Sequence, residues 1–197
     1  MDIVAVTRRL TVEDVEAAYP QGIFPMSAAG GLFTWHRPSR RAILPLDGFH
    51  VSRSFARTLR QRQFEVTFNR DFLGVMRGCA ERDSTWITRE FYEVYGELHR
   101  RGRAHSVEVW VEGQLAGGTY GVHFGGAFFA ESKFHRRTDM SKVALHALVE
   151  RLRERRFALL EVQYLTDHLA TLGVIEIAGR EYRRRLAEAL TIECPFD

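Results

Sequence analysis

The clearest pattern in the chain lies in residues 107–134, where an alternating segment over 107–111 is followed by two turns. Val107, Val109 and Val111 alternate with Glu108 and Trp110, as in a strand whose successive side chains point to opposite faces. Glycine-containing turns at Glu112-Gly113 and Gly125-Gly126 divide the segment into a predicted antiparallel meander over 107–111, 114–122 and 127–134.

Helical spacing follows this meander. The segment from Ser141 to Arg155 is predicted to be a helix whose apolar residues are Val143, Leu145, Leu148, Val149 and Leu152. Beyond it, strands are predicted over 157–162 and 175–177, and helices over 167–172 and 181–190. A meander followed by alternating helices and strands favours an α+β domain with a central mixed sheet.

The first half of the chain carries start and stop signals for further elements. Helices are predicted from Thr11 to Pro20, from Asn69 through Cys79, and from Thr88 to a stop at Gly102, and a basic helix over 51–61. Strands are predicted over 32–35, 42–46 and 64–68. We predict a small N-terminal domain at residues 1–48 and a larger domain at residues 49–197.

Composition narrows the class of protein. The 45% hydrophobic and 27% charged residues are ordinary for a globular chain, and no apolar run approaches the ~18 residues of a transmembrane helix. The first residues do not form a secretory signal. Cys79 and Cys194 are far apart and fit no metal or redox spacing. We expect a cytoplasmic protein that does not bind a membrane and does not require a metal ion.

Charge adds one contrast. The net charge of +3 permits an anionic partner, and of the 28 basic residues only Lys133 and Lys142 are lysines. No nucleotide-binding loop of the GxxxxGK[ST] type and no GxSxG elbow occurs.

A series of unusual strings in one order carries the strongest functional signal. The strings are Tyr19–Met26, WHRPSRR from Trp35, Thr85-Trp86-Ile87, AHSVEVW from Ala104, GGTYGV from Gly117, ESKFHRRTDMSKVAL from Glu131 and EVQYLTDHLATLG from Glu161. From about Tyr19 to Tyr182 this series resembles the leucyl/phenylalanyl-tRNA–protein transferase family.

The resemblance implies a fold and a reaction. A small N-terminal domain would sit on a GNAT-like acyltransferase domain. The partners would be aminoacyl-tRNA carrying Leu, Phe or Met and a protein or peptide with N-terminal Arg or Lys, which the reaction marks for degradation. No cofactor is expected, because an aminoacyl ester is already activated.

The catalytic pair is predicted at Glu161 and Gln163. Residues two apart on a strand point to the same face, so a carboxylate that accepts a proton or anchors the amine would lie beside an amide that orients the amine or donates to the oxyanion. The resemblance implies the same pair, although the family has Asp where this chain has Glu161. The alternative is a strand-edge acid and amide that only cap backbone groups.

Substrate-binding residues are implied by the resemblance. Trp86 and Tyr95 match positions that hold the terminal adenosine by stacking, and the alternative for both is core packing. The aminoacyl side-chain pocket is expected at Thr119, Glu131, Lys133, Leu145 and Leu148. The family has methionines at the positions of Thr119 and Lys133 and an aromatic residue at that of Leu148. Either Lys133 contacts a polar substrate, or it pairs with Glu131 and the ordinary specificity persists.

The arginines divide in the same way. Arg53, Arg57 and Arg60 on the predicted basic helix can bind acceptor-stem phosphates, or they can form a solvated helix face.

Two other functions stay open for the chain. The first is an aminoacyl-tRNA-dependent ligase that has an altered amino-acid specificity or uses a small-molecule or peptide acceptor. The second is an inactive relative that binds RNA or protein.

Overall fold

Two β-sheets organise the chain in a computed structural model that describes residues 2–197. The first part contains β1 (Ile3–Thr7), α1 (Val12–Ala18), a 3-10 turn (Tyr19–Gln21), β2 (Phe24–Ala28), β3 (Leu32–His36), β4 (Arg40–Ile43), α2 (Arg53–Gln61), β5 (Glu65–Phe68), α3 (Phe72–Ala80) and α4 (Arg89–Arg100). The rest contains β6 (Ala104–Val111), β7 (Gln114–Phe124), β8 (Ala127–His135), α5 (Met140–Glu154), β9 (Leu159–Glu161), α6 (Asp167–Ala170), β10 (Ile175–Ala178) and α7 (Gly179–Leu190).

The large sheet has seven strands in the order β10-β4-β9-β8-β7-β6-β5. All neighbours in it are antiparallel except β8 and β9, which pair in parallel. Helix α3 packs against β7 and β8, and α5 packs against β6 and β7. Two buried apolar clusters result, one containing residues of α3 and α4 and the other residues of α5. The predicted α+β class with a mixed sheet is confirmed.

The small sheet has the order β1-β3-β2 and is antiparallel. Its residues Phe33 and Trp35 are buried in the same cluster as Phe91 and Tyr95 of α4. The N-terminal unit therefore shares a core with the larger one and supplies side chains to its interior.

The strand predicted over 42–46 is shifted to Arg40–Ile43. It belongs to the large sheet, although the predicted N-terminal domain includes residues 1–48. The backbone N–H of Leu44 still donates to the Leu160 carbonyl at 2.9 Å. Pro45 follows and has no N–H to donate, so the ladder stops there.

The predicted cap at Asn69 is wrong, because Asp71 caps α3 and accepts a hydrogen bond from the Gly74 N–H at 2.9 Å. Asn69 adopts a left-handed conformation, and its side-chain oxygen Oδ1 accepts a hydrogen bond from the Ser106 N–H at 3.1 Å. Its amide contacts His105 at 3.0 Å. Asn69 thus joins strands instead of starting the helix.

The other predicted elements are present with small changes of boundary, and the strand expected over 157–162 is reduced to β9. None of the helices within residues 2–197 is both long enough and apolar enough to cross a membrane.

Candidate active site

The candidate site is an opening between β8 and β9. The two strands pair only as far as Phe129 and Glu161, after which β9 ends and β8 continues. The space contains an outer cavity of about 480 Å3 and a deeper cavity of about 90 Å3. Glu131, Lys133 and Gln163 line both cavities. Polar groups therefore converge where the carboxyl ends of two parallel strands separate.

Glu161 is buried in an ion pair and does not line either cavity. Its Oε1 accepts hydrogen bonds from Nε and Nη2 of Arg41 at 3.0 and 2.7 Å. The Arg41 guanidinium lies between the rings of Phe24 and Tyr182, with its carbon 5.1 and 4.3 Å from their centroids. It also donates to the Gly22 carbonyl. Burial raises the pKa of the Glu161 carboxyl, and the guanidinium opposes that shift.

Gln163 lies beyond the end of β9, so the expectation that both residues share a strand face is wrong. Its φ of 59° places the backbone in the left-handed region, where a residue with a side chain needs support from its surroundings. That support comes from Glu161, whose Oε1 accepts a hydrogen bond from the Gln163 N–H at 2.7 Å. The Gln163 amide nitrogen in turn lies 3.3 Å from Oε1 of Glu131.

Glu131 occupies an irregular position in β8. The register with β7 shifts between Tyr120, opposite Ser132, and Gly121, opposite Ala130, so Glu131 is an extra residue of a β-bulge. Its Oε1 accepts a hydrogen bond from the Tyr19 hydroxyl at 2.7 Å.

The surroundings of Glu131 change its acidity. Burial raises the pKa of Glu131 to about 8, the Tyr19 hydrogen bond opposes the shift, and the charge of Glu161 adds to it. A carboxyl group with this pKa exchanges a proton close to neutral pH.

Lys133 forms no ion pair with Glu131 or with any other acidic residue of the part of the chain that the structure describes. The pairing alternative is therefore absent from this structure. Burial lowers the pKa of the Lys133 ammonium, and the nearby charge of Arg82 lowers it further. Thr119 and Leu145 line the deeper cavity with Lys133. Leu148 does not line either cavity, because it is fully buried in the core on the α5 side.

Comparisons with known proteins show the family to which the chain belongs. The sequence profile of the family described as leucyl/phenylalanyl-tRNA protein transferase matches residues 43–187. This chain belongs to that family. A leucyl/phenylalanyl-tRNA–protein transferase of Ruegeria sp. (strain TM1040) is 53% identical over 88% of this chain and 83% of the relative. One from Herpetosiphon aurantiacus is 49% identical over 96% of this chain and 100% of the relative.

The crystal structure of FemX shares the fold with a TM-score of 0.54 at 13% sequence identity, over 72% of this chain and 60% of FemX. As a leucyl/phenylalanyl-tRNA–protein transferase family member, the protein is an aminoacyltransferase.

The two aromatic residues expected at the adenosine have different surroundings in this family member. Trp86 is half-buried, lines the outer cavity and meets Phe91 edge to face, with centroids 4.8 Å apart. Tyr95 has no exposed surface, because its ring packs against Phe91 and Tyr120. Its hydroxyl lies 2.6 Å from that of Tyr19. In this structure Tyr95 therefore contacts Tyr19, which is the hydrogen-bond donor to Glu131, and its ring does not present a stacking surface.

The three arginines expected to bind RNA, Arg53, Arg57 and Arg60, lie exposed on α2. None of them forms an ion pair within residues 2–197. Some other exposed arginines are neutralised, since Arg101 pairs with Glu97 and Arg184 pairs with Glu181. The α2 arginines thus keep their charge available for a partner.

Two contributors to the site, Tyr19 and Arg41, had no predicted role although both lie in the unusual strings. A usable signal existed for Arg41, because a charged residue directly precedes the apolar run Ala42-Ile43-Leu44 of a predicted strand. A buried position of this kind requires a counterion. Within residues 2–197, no three His, Cys, Asp or Glu side chains group closely enough to hold a metal ion.

Proposed function

We propose that this aminoacyltransferase moves the aminoacyl group of an aminoacyl-tRNA to the N-terminal amine of a protein or peptide that begins with Arg or Lys. The observation that carries the proposal is the placement of the Gln163 amide beside the Glu131 carboxyl, in a cavity between separating strands. Family membership supports the choice of donor and acceptor.

The cavity residues have complementary roles in this reaction. The acceptor nitrogen attacks the ester carbonyl carbon, a C–N bond forms, and the bond to the ribose oxygen breaks. The Gln163 amide donates to the oxyanion that develops on the carbonyl oxygen. Its present contact with Glu131 is long at 3.3 Å and exchanges readily for a substrate contact. The ionised form of Glu131 accepts the proton from the attacking amine and returns it to the leaving ribose oxygen.

Arg41 and Glu161 act through Gln163 and are positioning residues. Glu161 touches neither cavity, so its contribution is to hold the Gln163 backbone in the left-handed conformation. Fixing a reactive group before the substrate arrives can contribute several kcal/mol to catalysis.

The experiment is transfer from charged tRNA to an Arg-starting peptide by Gln163→Ala and Gln163→Glu. The amide acts mainly as charge develops, so both variants should lower kcat by about 100-fold while tRNA affinity changes little. Gln21→Ala, which removes an exposed glutamine on the 3-10 turn, is the matched control. Near-normal turnover in Gln163→Ala would refute the assignment.

A second candidate is favoured by the lining of the deeper cavity. The relatives are named for leucyl and phenylalanyl groups, whereas Lys133 and Thr119 place an unpaired ammonium and a hydroxyl here. An unpaired charge beside an apolar side chain costs free energy in a dry pocket. The second candidate is thus an aminoacyl-tRNA-dependent ligase that prefers polar aminoacyl groups.

A further inference from the structure

The rim of the outer cavity is strongly basic. Arg82, Lys133, His135 and His168 line it, and Glu131 is the one acidic residue in the described lining. Glu131 loses most of its negative charge near neutral pH because burial raises its pKa to about 8. The cavity therefore has an excess of basic groups, which attracts an anionic ligand.

These basic groups lie close to one another. Burial lowers the pKa of His168, and the nearby charges of Lys133, Lys142 and His135 lower it further, so these side chains surround His168. The ring of His135 lies 3.3 Å from the Ser141 hydroxyl, which also lines the cavity. Ser141 is the second residue of α5, whose N-cap residue makes no capping side-chain hydrogen bond.

The same cavity also has an apolar part. Met26 and Trp86 line it, and the half-buried Trp86 indole offers a surface on which a nucleobase can lie. A nucleoside on these residues, with its ester directed at Gln163, leaves its 5′ oxygen free to reach the basic rim. We propose that the rim of Arg82, Lys133, His135 and His168 binds the phosphodiester group on the 5′ side of the terminal nucleotide of the aminoacyl-tRNA. This assignment rests on the proposed function.

A polar contact joins the start of α5 to α2. Lys142, in the first turn of α5, pairs with Asp139 at 2.8 Å. The Thr58 hydroxyl on α2 donates to the same aspartate at 3.1 Å, and Arg57 is the next residue of that helix. An RNA strand that leaves the rim across the start of α5 would therefore reach the unpaired arginines of α2.

The test compares two nucleosides that differ only in the phosphate. Adenosine and adenosine 5′-methylphosphate are titrated into the full chain at low salt, with the indole N–H signal of Trp86 followed by NMR. A charge-assisted contact to the phosphate should lower Kd about tenfold. In His168→Ala and in Lys133→Met, the ratio of the two Kd values should fall toward one.

The control is Arg153→Ala, which removes an exposed arginine of α5 that pairs with Glu150. It should keep the wild-type ratio. A wild-type ratio near one, no binding of either nucleoside, or an unchanged ratio in both rim variants would overturn the assignment. Transfer from charged tRNA is measured on the same preparations. Loss of transfer with a retained tenfold ratio would count against the proposed function and leave the phosphate site standing.

Discussion

Arg41 and Glu161 form a fully buried ion pair that joins β4 to β9 across 120 residues of sequence. The arginine is held on both faces by aromatic rings, and the carboxylate holds the Gln163 backbone. Removing one partner of such a pair leaves a buried charge without a counterion, which is costlier than removing both.

We therefore expect Arg41→Met to lower the free energy of unfolding by about 3–5 kcal/mol. Urea denaturation at neutral pH measures the change. Arg40→Met is the control, since Arg40 is exposed and its ion pair with Glu176 should contribute about 1 kcal/mol or less. The double variant Arg41→Met/Glu161→Leu should recover much of the loss. Equal losses at Arg40 and Arg41 would contradict the buried-pair interpretation.

The raised pKa of Glu131 predicts how stability depends on pH. Burial raises that pKa from 4.5 to about 8, so the unfolded chain releases the proton at lower pH than the folded protein does. The contribution of the protonated Glu131 carboxyl to the free energy of unfolding is complete below about pH 4.5 and is lost as the pH rises through 8. Glu131→Gln should flatten this decline by up to about 1.4 kcal/mol for each pH unit. Unfolding curves at intervals from pH 5 to 8 test it, and equal slopes in wild type and variant would refute it.

The exposed arginines of α2 predict a salt dependence. If they contact RNA phosphates, the logarithm of tRNA affinity should fall linearly with that of salt concentration. Arg57→Ala and Arg60→Ala should each reduce the slope by about one unit. Arg184→Ala is the matched control, because Glu181 and Glu188 already neutralise this exposed arginine. Equal slopes in all the proteins would leave α2 without a role in binding.

The lining of the deeper cavity predicts which aminoacyl group is preferred. The double variant Lys133→Met/Thr119→Met replaces an ammonium and a hydroxyl by apolar chains. It should shift kcat/KM toward leucyl and phenylalanyl donors by at least about tenfold relative to polar ones. Competition between charged tRNAs measures the ratio of the kcat/KM values of the two kinds of donor. Contacts to the tRNA phosphates are the same for all donors and therefore cancel in this ratio. A wild type that already prefers leucyl or phenylalanyl groups would exclude the polar-pocket candidate.

Local signals in the sequence predicted the elements better than the site. The alternation over 107–111 and the turns at 112–113 and 125–126 predicted the three-strand meander, because period and turn chemistry act over a few neighbouring residues. The same local rule failed at Gln163, whose side-chain direction depends on a carboxylate held by a distant arginine. Neither periodicity nor spacing contains that information.

Glu131 shows a second limit of local reasoning. An ordinary strand would place it beside Lys133, two residues away, and their pairing was one expectation. The β-bulge adds a residue to the strand, and Glu131 bonds to Tyr19 instead. Bulges have no reliable sequence signature, so this contact could only be found in three dimensions.

The shared core of the two units bears on how the protein forms during synthesis. Tyr19 precedes Glu131 by 112 residues, and Arg41 precedes Glu161 by 120. Contacts this far apart in the chain form late, because long loops must close first. On the ribosome the N-terminal residues emerge well before the residues that they contact. The reactive cavity is consequently assembled only after β9 has been made, and an incomplete nascent chain has no competent site.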